Sequence, residues 1–265
     1  MTLESKKRIK TKQKLLIFFL LLVLIAIDYP IIDKALKGFT EDYEMGAVER
    51  IIDGDTIVVN GSNVRLLGIN TPEKGEKYYE EAKNFLESEM LDKVVKLEKT
   101  QEDKDLYGRK LRYVISENKN INKKIVEQGF ANPYFPSSRD KHYAEIWNAW
   151  SECIKSNHGL CEKSANYCAR CVRIRELDQD KDEIILENTC RFYCSLKRWT
   201  LKDEGRKKFI FPDFVLEREV LIKVGNGTNA KNVLFWEGKN YVLTRSGDSV
   251  FLRDNENMLV DWKSY

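Results

Sequence analysis

Residues 51–73, IIDGDTIVVNGSNVRLLGINTPE, decide the fold. Three apolar runs are separated by the dipeptides Asp53-Gly54 and Asn60-Gly61, and Thr71-Pro72 ends the third run. Asp-Gly and Asn-Gly favour the positive φ angles of tight hairpin turns. The stretch therefore predicts three antiparallel strands that follow one another as a meander.

The next segments alternate between helical and strand patterns. Apolar residues at helical spacing predict a helix over 76–91, and two further helices are predicted over 121–128 and 140–156. Short β-branched runs predict strands at 94–97 and 110–115. Three strands, a helix, two strands and two helices predict a small β-barrel with packed helices.

The second half of the chain has a different pattern. From about residue 171 it contains only short apolar runs between turn residues, among them 172–175, 199–201, 241–243 and 249–252. Many short strands at this spacing are typical of a β-sandwich. The sequence therefore predicts a second, all-β domain, with the boundary near residues 162–170.

Charge is distributed unevenly along the 265 residues. The net charge is +3, but residues 1–14 alone contribute +5, which leaves the rest of the chain at −2. This excludes a polycationic coat for nucleic acid, so any anion site downstream must consist of individually placed arginines.

An apolar run over residues 15–27 follows the basic tail. As a helix it would span roughly 20 Å, which is short of the roughly 30 Å hydrocarbon core but enough for a thinned bilayer. An uncleaved membrane anchor over 15–32 is favoured over a cleaved signal peptide, because no small-residue cleavage site follows. The positive-inside rule would leave residues 1–14 in the cytoplasm and everything after residue 32 outside.

The cysteines allow two interpretations. All six lie in the second half, which suits disulfides in an oxidising compartment. Alternatively, Cys168-x2-Cys171 and Cys190-x3-Cys194 approach the spacing of a four-thiolate zinc site. The predicted export favours disulfides, and the spacing does not give their pairing.

Charged residues cluster where the barrel pattern does not require them. Asp53 and Asp55 flank a hairpin glycine, Arg65 opens an apolar strand, and Arg109 follows a Tyr-Gly turn. Taken singly, each fits ordinary turn chemistry or a solvated strand face. Taken together with Glu73, they suggest arginine forks for a phosphate and carboxylates for a hard cation.

The segments IDGDT (52–56), VRLLGINTPE (64–73) and Tyr107-Gly108-Arg109 resemble the staphylococcal nuclease family in order and spacing, over roughly residues 44–162. The resemblance implies an OB-fold barrel with three helices. It also implies Ca²⁺-dependent cleavage of DNA and RNA phosphodiesters, single strands preferred, that leaves 3′-phosphates.

The resemblance also assigns roles to individual residues. Arg65 and Arg109 would bind the phosphate, and Glu73 would be the general base. The calcium ligands would be Asp55, Asn70 and the carbonyl of Thr71. Asp53 would lie next to these ligands without binding the cation itself. Tyr107 and Tyr134 would contact the substrate. Asn70 stands where better-known members carry Asp, so we expect weaker calcium binding than with a second carboxylate.

The C-terminal half resembles a lamin-tail domain, an immunoglobulin-like sandwich, through ILENT (185–189), LKRWTLKD (196–203) and VGNG (224–227). The expected organisation is a cytoplasmic tail (1–14), an anchor (15–32), a spacer (33–43), the nuclease-like domain (44–162), a linker (163–170) and the lamin-tail-like domain (171–265).

Two functions fit these features. The first is a membrane-anchored, extracytoplasmic nuclease acting on DNA and RNA, whose C-terminal domain binds a surface polymer, nucleic acid or protein partner. The second is a tethered binding protein with an inactive barrel. The presence of Arg65, Glu73 and Arg109 together favours the enzyme, since a decayed site should have lost at least one of them.

Overall fold

A computed structural model describes residues 43–136 and 139–265. The predicted tail and anchor, and the spacer up to residue 42, lie outside the described residues. Within the described ranges, no helix is long and apolar enough to cross a membrane. The strands are β1 (Tyr43–Ile51), β2 (Thr56–Val59), β3 (Ser62–Leu66), β4 (Ile69–Asn70), β5 (Val94–Glu98), β6 (Lys110–Ser116), β7 (Lys119–Asn120), β8 (Asn132–Pro133), β9 (Val172–Asp178), β10 (Glu183–Asn188), β11 (Cys194–Ser195), β12 (Thr200–Asp203), β13 (Lys208–Ile210), β14 (Val215–Leu216), β15 (Glu219–Val224), β16 (Val233–Trp236), β17 (Ser249–Arg253) and β18 (Leu259–Ser264). The α-helices are α1 (Tyr79–Met90), α2 (Ile121–Glu127) and α3 (Tyr143–Ser156), and short 3-10 helices cover Gly159–Cys161 and Tyr167–Arg170.

The N-terminal barrel contains the predicted meander, but only one of its turns has the predicted backbone. Asn60 and Gly61 have φ angles of 47° and 70°, whereas neither Asp53 nor Gly54 has a positive φ, and residues 52–55 form a longer connection between β1 and β2. The strands of the barrel follow the order β3-β2-β1-β5-β6, and a parallel pairing of β3 with β6 closes the sheet on itself. Helix α1 buries Ala82, Leu86 and Met90, spaced four residues apart, in the same apolar core. The predicted five-stranded barrel with three helices is therefore confirmed.

The third strand of the meander is shorter than predicted. It ends at Leu66 because Gly68, at φ 72°, turns the chain. The following β4 pairs with β8 instead of continuing the barrel strand, with Asn70 opposite Asn132. This break lifts Asn70 away from β3 and brings it to the barrel rim.

The C-terminal domain is all-β, as predicted. Its two four-stranded sheets, β16-β15-β10-β9 and β13-β12-β17-β18, share one apolar core that includes the buried Trp199. The predicted strand at 241–243 is wrong: the backbone N–H groups of Val242 and Leu243 donate to the carboxylate of Asp182. The carboxylate of Asp182 thus accepts from the backbone N–H groups that would otherwise bond to a neighbouring strand. The likeness to a lamin-tail domain stays a prediction.

All six cysteines form disulfides, which confirms that interpretation over the zinc site. The pairs are Cys153–Cys161, Cys168–Cys194 and Cys171–Cys190. The last two cross between the CxxC pair and the CxxxC pair, so the four sulfurs are used for covalent bonds rather than for a shared metal. They fasten the start of the sandwich to the segment before β12.

Residues Met45–Tyr265 form one compact unit. Helix α3 of the barrel domain packs on the second sheet of the sandwich: Trp147 stacks on Trp262 at a ring-centroid distance of 5.3 Å, and Trp150 meets Phe251 edge-on at 5.4 Å. Buried aromatic pairs of this kind stabilise an interface beyond their area. The second sheet is thereby held at a fixed position against the barrel.

Candidate active site

The turn between β1 and β2 positions the first carboxylates. A Cβ on Gly54 would lie 2.6 Å from the Cβ of Ala82, so only glycine lets this turn approach α1 so closely. Asp53 accepts a hydrogen bond from the backbone N–H of Asp55 at 3.1 Å. Burial, and then the charge of Asp55, raise the pKa of Asp53. Asp53 therefore holds the backbone of Asp55 in place at this turn.

Arg65 joins two of the predicted metal ligands. Its guanidinium lies 3.2 Å from Oδ2 of Asp55 and donates to Oδ1 of Asn70 at 3.2 Å. It also donates to the carbonyls of Leu66 and Ile69, which fixes the orientation of the fork. Both side chains of the Arg65–Asp55 pair are nearly fully buried, at 9% and 4% exposed. A buried arginine held this way is preorganised for a planar, bidentate anion.

Arg109 reaches the same cluster from the turn before β6. Its Nη1 donates to the hydroxyl of Thr56 at 3.2 Å, and that hydroxyl donates to Oδ1 of Asp55 at 2.9 Å. Its Nε donates to Asp105 at 2.7 Å. Burial alone would raise the pKa of Asp105, but the hydrogen bonds from Arg109 lower it below its usual value. One hydrogen-bonded network therefore contains Arg65 and Arg109.

Sequence reasoning missed Thr56 and Asp105, which complete this network. Thr56 is adjacent to Asp55, and a hydroxyl beside a turn carboxylate is a weak signal by itself. Asp105 lies four residues before Arg109 and accepts from its backbone N–H at 3.0 Å. That spacing around a Tyr-Gly turn is a pattern that could have indicated the pair.

Glu73 lies at the exposed edge of the cluster. Its side chain is 47% exposed, and its Oε1 is 2.6 Å from Nε of Arg206, which belongs to the turn between β12 and β13. Nearby, Nδ2 of Asn70 donates to the carbonyl of Gly205 at 2.8 Å. The structure thus brings Glu73 beside Asn70 but pairs its carboxylate with the C-terminal domain. The sequence carries no signal for that contact.

The two predicted substrate tyrosines each lie beside one arginine. The ring of Tyr107 is 83% exposed and lies 5.7 Å from the guanidinium carbon of Arg109. The guanidinium of Arg65 lies 5.5 Å from the ring centre of the half-buried Tyr134. Burial raises the pKa of Tyr134, so its hydroxyl stays protonated at neutral pH. Both rings can offer a face to a base next to the arginines.

The oxygen donors at the rim match the chemistry of a hard cation. Across residues 43–136 and 139–265, no three His, Cys, Asp or Glu side chains converge as a metal site. The ligands that the resemblance implies are instead the amide oxygen of Asn70 and the carbonyl of Thr71 beside the carboxylate of Asp55. Asp55 and Asn70 already converge on Arg65. Carboxylate, amide and carbonyl oxygens are the donors that Ca²⁺ prefers.

Comparison with known proteins identifies the family of this barrel. The family model "Staphylococcal nuclease homologue" matches residues 63–163. A thermonuclease of Staphylococcus intermedius is 32% identical over 160 residues, which cover 56% of this chain and 95% of the relative. The chain belongs to the staphylococcal nuclease family.

Two further relatives match over shorter stretches. A thermonuclease of Staphylococcus hyicus is 33% identical over 118 residues, covering 41% of this chain and 70% of that protein. An uncharacterized endonuclease of Haemophilus influenzae is 32% identical over 120 residues, covering 43% of this chain and 66% of that protein.

Proposed function

We propose that this chain is a calcium-dependent nuclease that hydrolyses phosphodiester bonds in DNA and RNA, acts preferentially on single strands and leaves 3′-phosphate ends. The observation that carries the proposal is the single network in which the guanidinium groups of Arg65 and Arg109 meet through Asp55 and Thr56. Two guanidinium groups in one network, with the half-exposed carboxylate of Glu73 at its edge, suit a phosphoryl group that gains charge during attack by water.

Each side chain has a distinct part in this proposal. Arg65 and Arg109 hold the non-bridging oxygens of the scissile phosphate, and their fixed donors avoid reorganisation as charge develops. Glu73 accepts the proton of the attacking water, which requires that its carboxylate turn from Arg206 to the water. Because that ion pair is half-exposed, breaking it costs about 1 kcal/mol or less.

Calcium would be held by Asp55, Asn70 and the carbonyl of Thr71. When bound, Ca²⁺ supplies positive charge next to the scissile phosphate. Asn70 brings no formal charge to this set, so we expect the affinity to be lower than with two carboxylates. Its Oδ1 accepts a hydrogen bond from Arg65 in this structure. Calcium binding would therefore require that Oδ1 interact with both Arg65 and the cation, or that Arg65 and Asn70 rearrange.

The names of the relatives support the reaction. Two relatives that match over most of their own length are called thermonucleases. Arg65, Glu73 and Arg109 are all present here, which favours an active enzyme over a tethered binding protein.

We also propose that residues 15–32 anchor the chain and that the domains lie outside the cytoplasm. The disulfides support export, because such bonds persist in oxidising compartments. The all-β C-terminal domain is proposed to be lamin-tail-like and to bind a surface polymer, nucleic acid or protein partner.

The proposal is tested by incubating the purified full chain with single-stranded DNA in calcium, and in parallel with excess chelator. We expect degradation only with calcium, and 3′-phosphate ends on the products. Full activity in chelator would overturn the metal dependence. Binding of DNA without any cleavage under both conditions would support the inactive binding protein.

A further inference from the structure

The turn of the β12–β13 hairpin brings residues of the C-terminal domain into contact with the candidate active site. Its carbonyl at Gly205 accepts from Asn70, and Arg206 pairs with Glu73. The carboxylate of Glu204, on the same turn, accepts from the backbone N–H of Phe135 at 2.8 Å. The hairpin is thus fixed to the barrel by contacts on both sides of its tip.

Beside this hairpin, a cleft between the two domains begins at Pro72, one residue from Glu73. Cationic side chains dominate its lining. The cations are Lys77 from the barrel and Lys202, Lys208 and Arg253 from the sandwich, and Glu76 is the carboxylate among the lining residues. The lining residue Asn132 is opposite Asn70, which accepts from Arg65, so the cleft adjoins the Arg65 side of the candidate site.

The carboxylate of Glu76 does not balance these cations. Lys202 donates to its Oε2 at 3.3 Å and Lys208 contacts its Oε1. Burial would raise the pKa of Glu76, but these lysines lower it to about 2, so it carries one full negative charge at neutral pH. The cleft lining therefore contains four cations and one carboxylate, and that carboxylate contacts two of the cations, Lys202 and Lys208.

Burial makes the excess positive charge costly. Arg253 is 6% exposed and donates to the carbonyl of Asn257 at 3.2 Å. Burial lowers the pKa of Lys202, and it lowers the pKa of Arg253 to about 10. The charges of Glu76 and Asp254 act against this lowering at Arg253. Desolvated cations that outnumber the carboxylates around them are stabilised by an anion. The contacts of Lys77 are with uncharged groups: its Nζ lies 3.3 Å from the sulfur of Met258 and 4.9 Å from the ring centre of Tyr78.

We propose that this cleft binds backbone phosphates of the nucleic-acid strand on one side of the scissile bond, with Arg206 joining it to the active site. The C-terminal domain would then be part of the substrate-binding surface rather than a separate module. The inference rests on the proposed nuclease function for the choice of a nucleic-acid strand as the ligand. The exposed Arg206–Glu73 pair, at 57% and 47% exposed, can exchange its carboxylate for a phosphate at little cost.

The experiment measures binding of the full chain to a fluorescently labelled 12-nucleotide single-stranded DNA by anisotropy, in chelator, over a range of salt concentrations. The cleft variant is Lys77→Gln/Lys208→Gln. The matched control, Lys197→Gln/Lys231→Gln, removes two exposed lysines that pair with Asp213 and Glu217 elsewhere in the sandwich. Both variants change the net charge equally, so only the position of the lost charge differs.

Each phosphate contact on a single strand contributes about 0.7 to the slope of log K against log salt. We expect the slope to fall by about 1.4 in the cleft variant and to stay unchanged in the control. Lys77→Gln alone, which breaks no ion pair with Glu76, should lower it by about 0.7. Equal slopes for the wild type and both cleft variants would overturn the inference. A lower slope in a chain that cleaves no DNA would support the cleft and refute the proposed hydrolysis.

Discussion

We expect the wild-type protein to lose stability as the pH rises from about 5 to 8. Replacing Glu204 with glutamine should remove this loss. Burial, and then the charge of Asp248, raise the pKa of Glu204 from 4.5 to about 8. Between these two values the native state holds a proton that the unfolded chain has released. The free energy of unfolding therefore falls with rising pH in this window. At about 1.4 kcal/mol per pKa unit, the loss reaches at most about 5 kcal/mol above pH 8.

Glutamine keeps the contacts of Glu204 without its charge. Its amide oxygen can accept from the backbone N–H of Phe135, and its NH₂ group can donate to the hydroxyl of Ser249, which now lies 3.2 Å from Oε2 of Glu204. Urea unfolding of the wild type and Glu204→Gln between pH 5 and pH 9 measures the effect. We expect the variant to gain stability over the wild type as the pH rises. Glu217→Gln, which removes an exposed carboxylate paired with Lys231, is the control and should keep the wild-type slope. Parallel curves for the wild type and Glu204→Gln would refute the reasoning.

Three further predictions concern the cluster and the disulfides. Arg109→Ala should lower kcat on single-stranded DNA by about 10²-fold or more, because a charge-stabilising donor is lost; an unchanged kcat would remove Arg109 from the site. Asn70→Asp should tighten calcium binding in calorimetry, while loss of the hydrogen bond to Gly205 should lower the free energy of unfolding by about 1 kcal/mol. An unchanged dissociation constant for calcium would contradict the ligand assignment. Replacing Cys168 and Cys194, 26 residues apart, with serine should cost about 3 kcal/mol in urea unfolding; a loss below about 1 kcal/mol would refute that estimate.

Much of the barrel can be predicted from local chemistry. The Asn60-Gly61 turn fixes the second hairpin of the meander, since few other dipeptides adopt its two positive φ angles. Helical periodicity located α1 through Ala82, Leu86 and Met90 because these side chains recur on one buried face. The residue types at these turns indicate part of the candidate site, such as Asp55 and Arg65, whereas the family resemblance is what points to Asn70.

Contacts between distant segments could not be predicted. Nothing near Arg206 in the sequence indicates that it pairs with Glu73, because the contact depends on how the sandwich packs on α3. Residues 241–243 form an apolar run typical of a strand, but the carboxylate of Asp182, about 60 residues earlier, accepts from the backbone N–H groups of Val242 and Leu243. The disulfide pairing likewise cannot be predicted from the spacing of the cysteines, because it depends on which segments lie next to each other in the fold.

The proposed catalysis is tested most directly by the single-turnover rate of DNA cleavage in Glu73→Gln, with calcium present. The control is Glu80→Gln, which changes an exposed carboxylate in the first turn of α1. We expect Glu73→Gln to cleave about 10²- to 10⁴-fold more slowly, because a positioned base is lost, and Glu80→Gln to match the wild type. A Glu73→Gln rate equal to that of the wild type would contradict the assignment of Glu73 as the base.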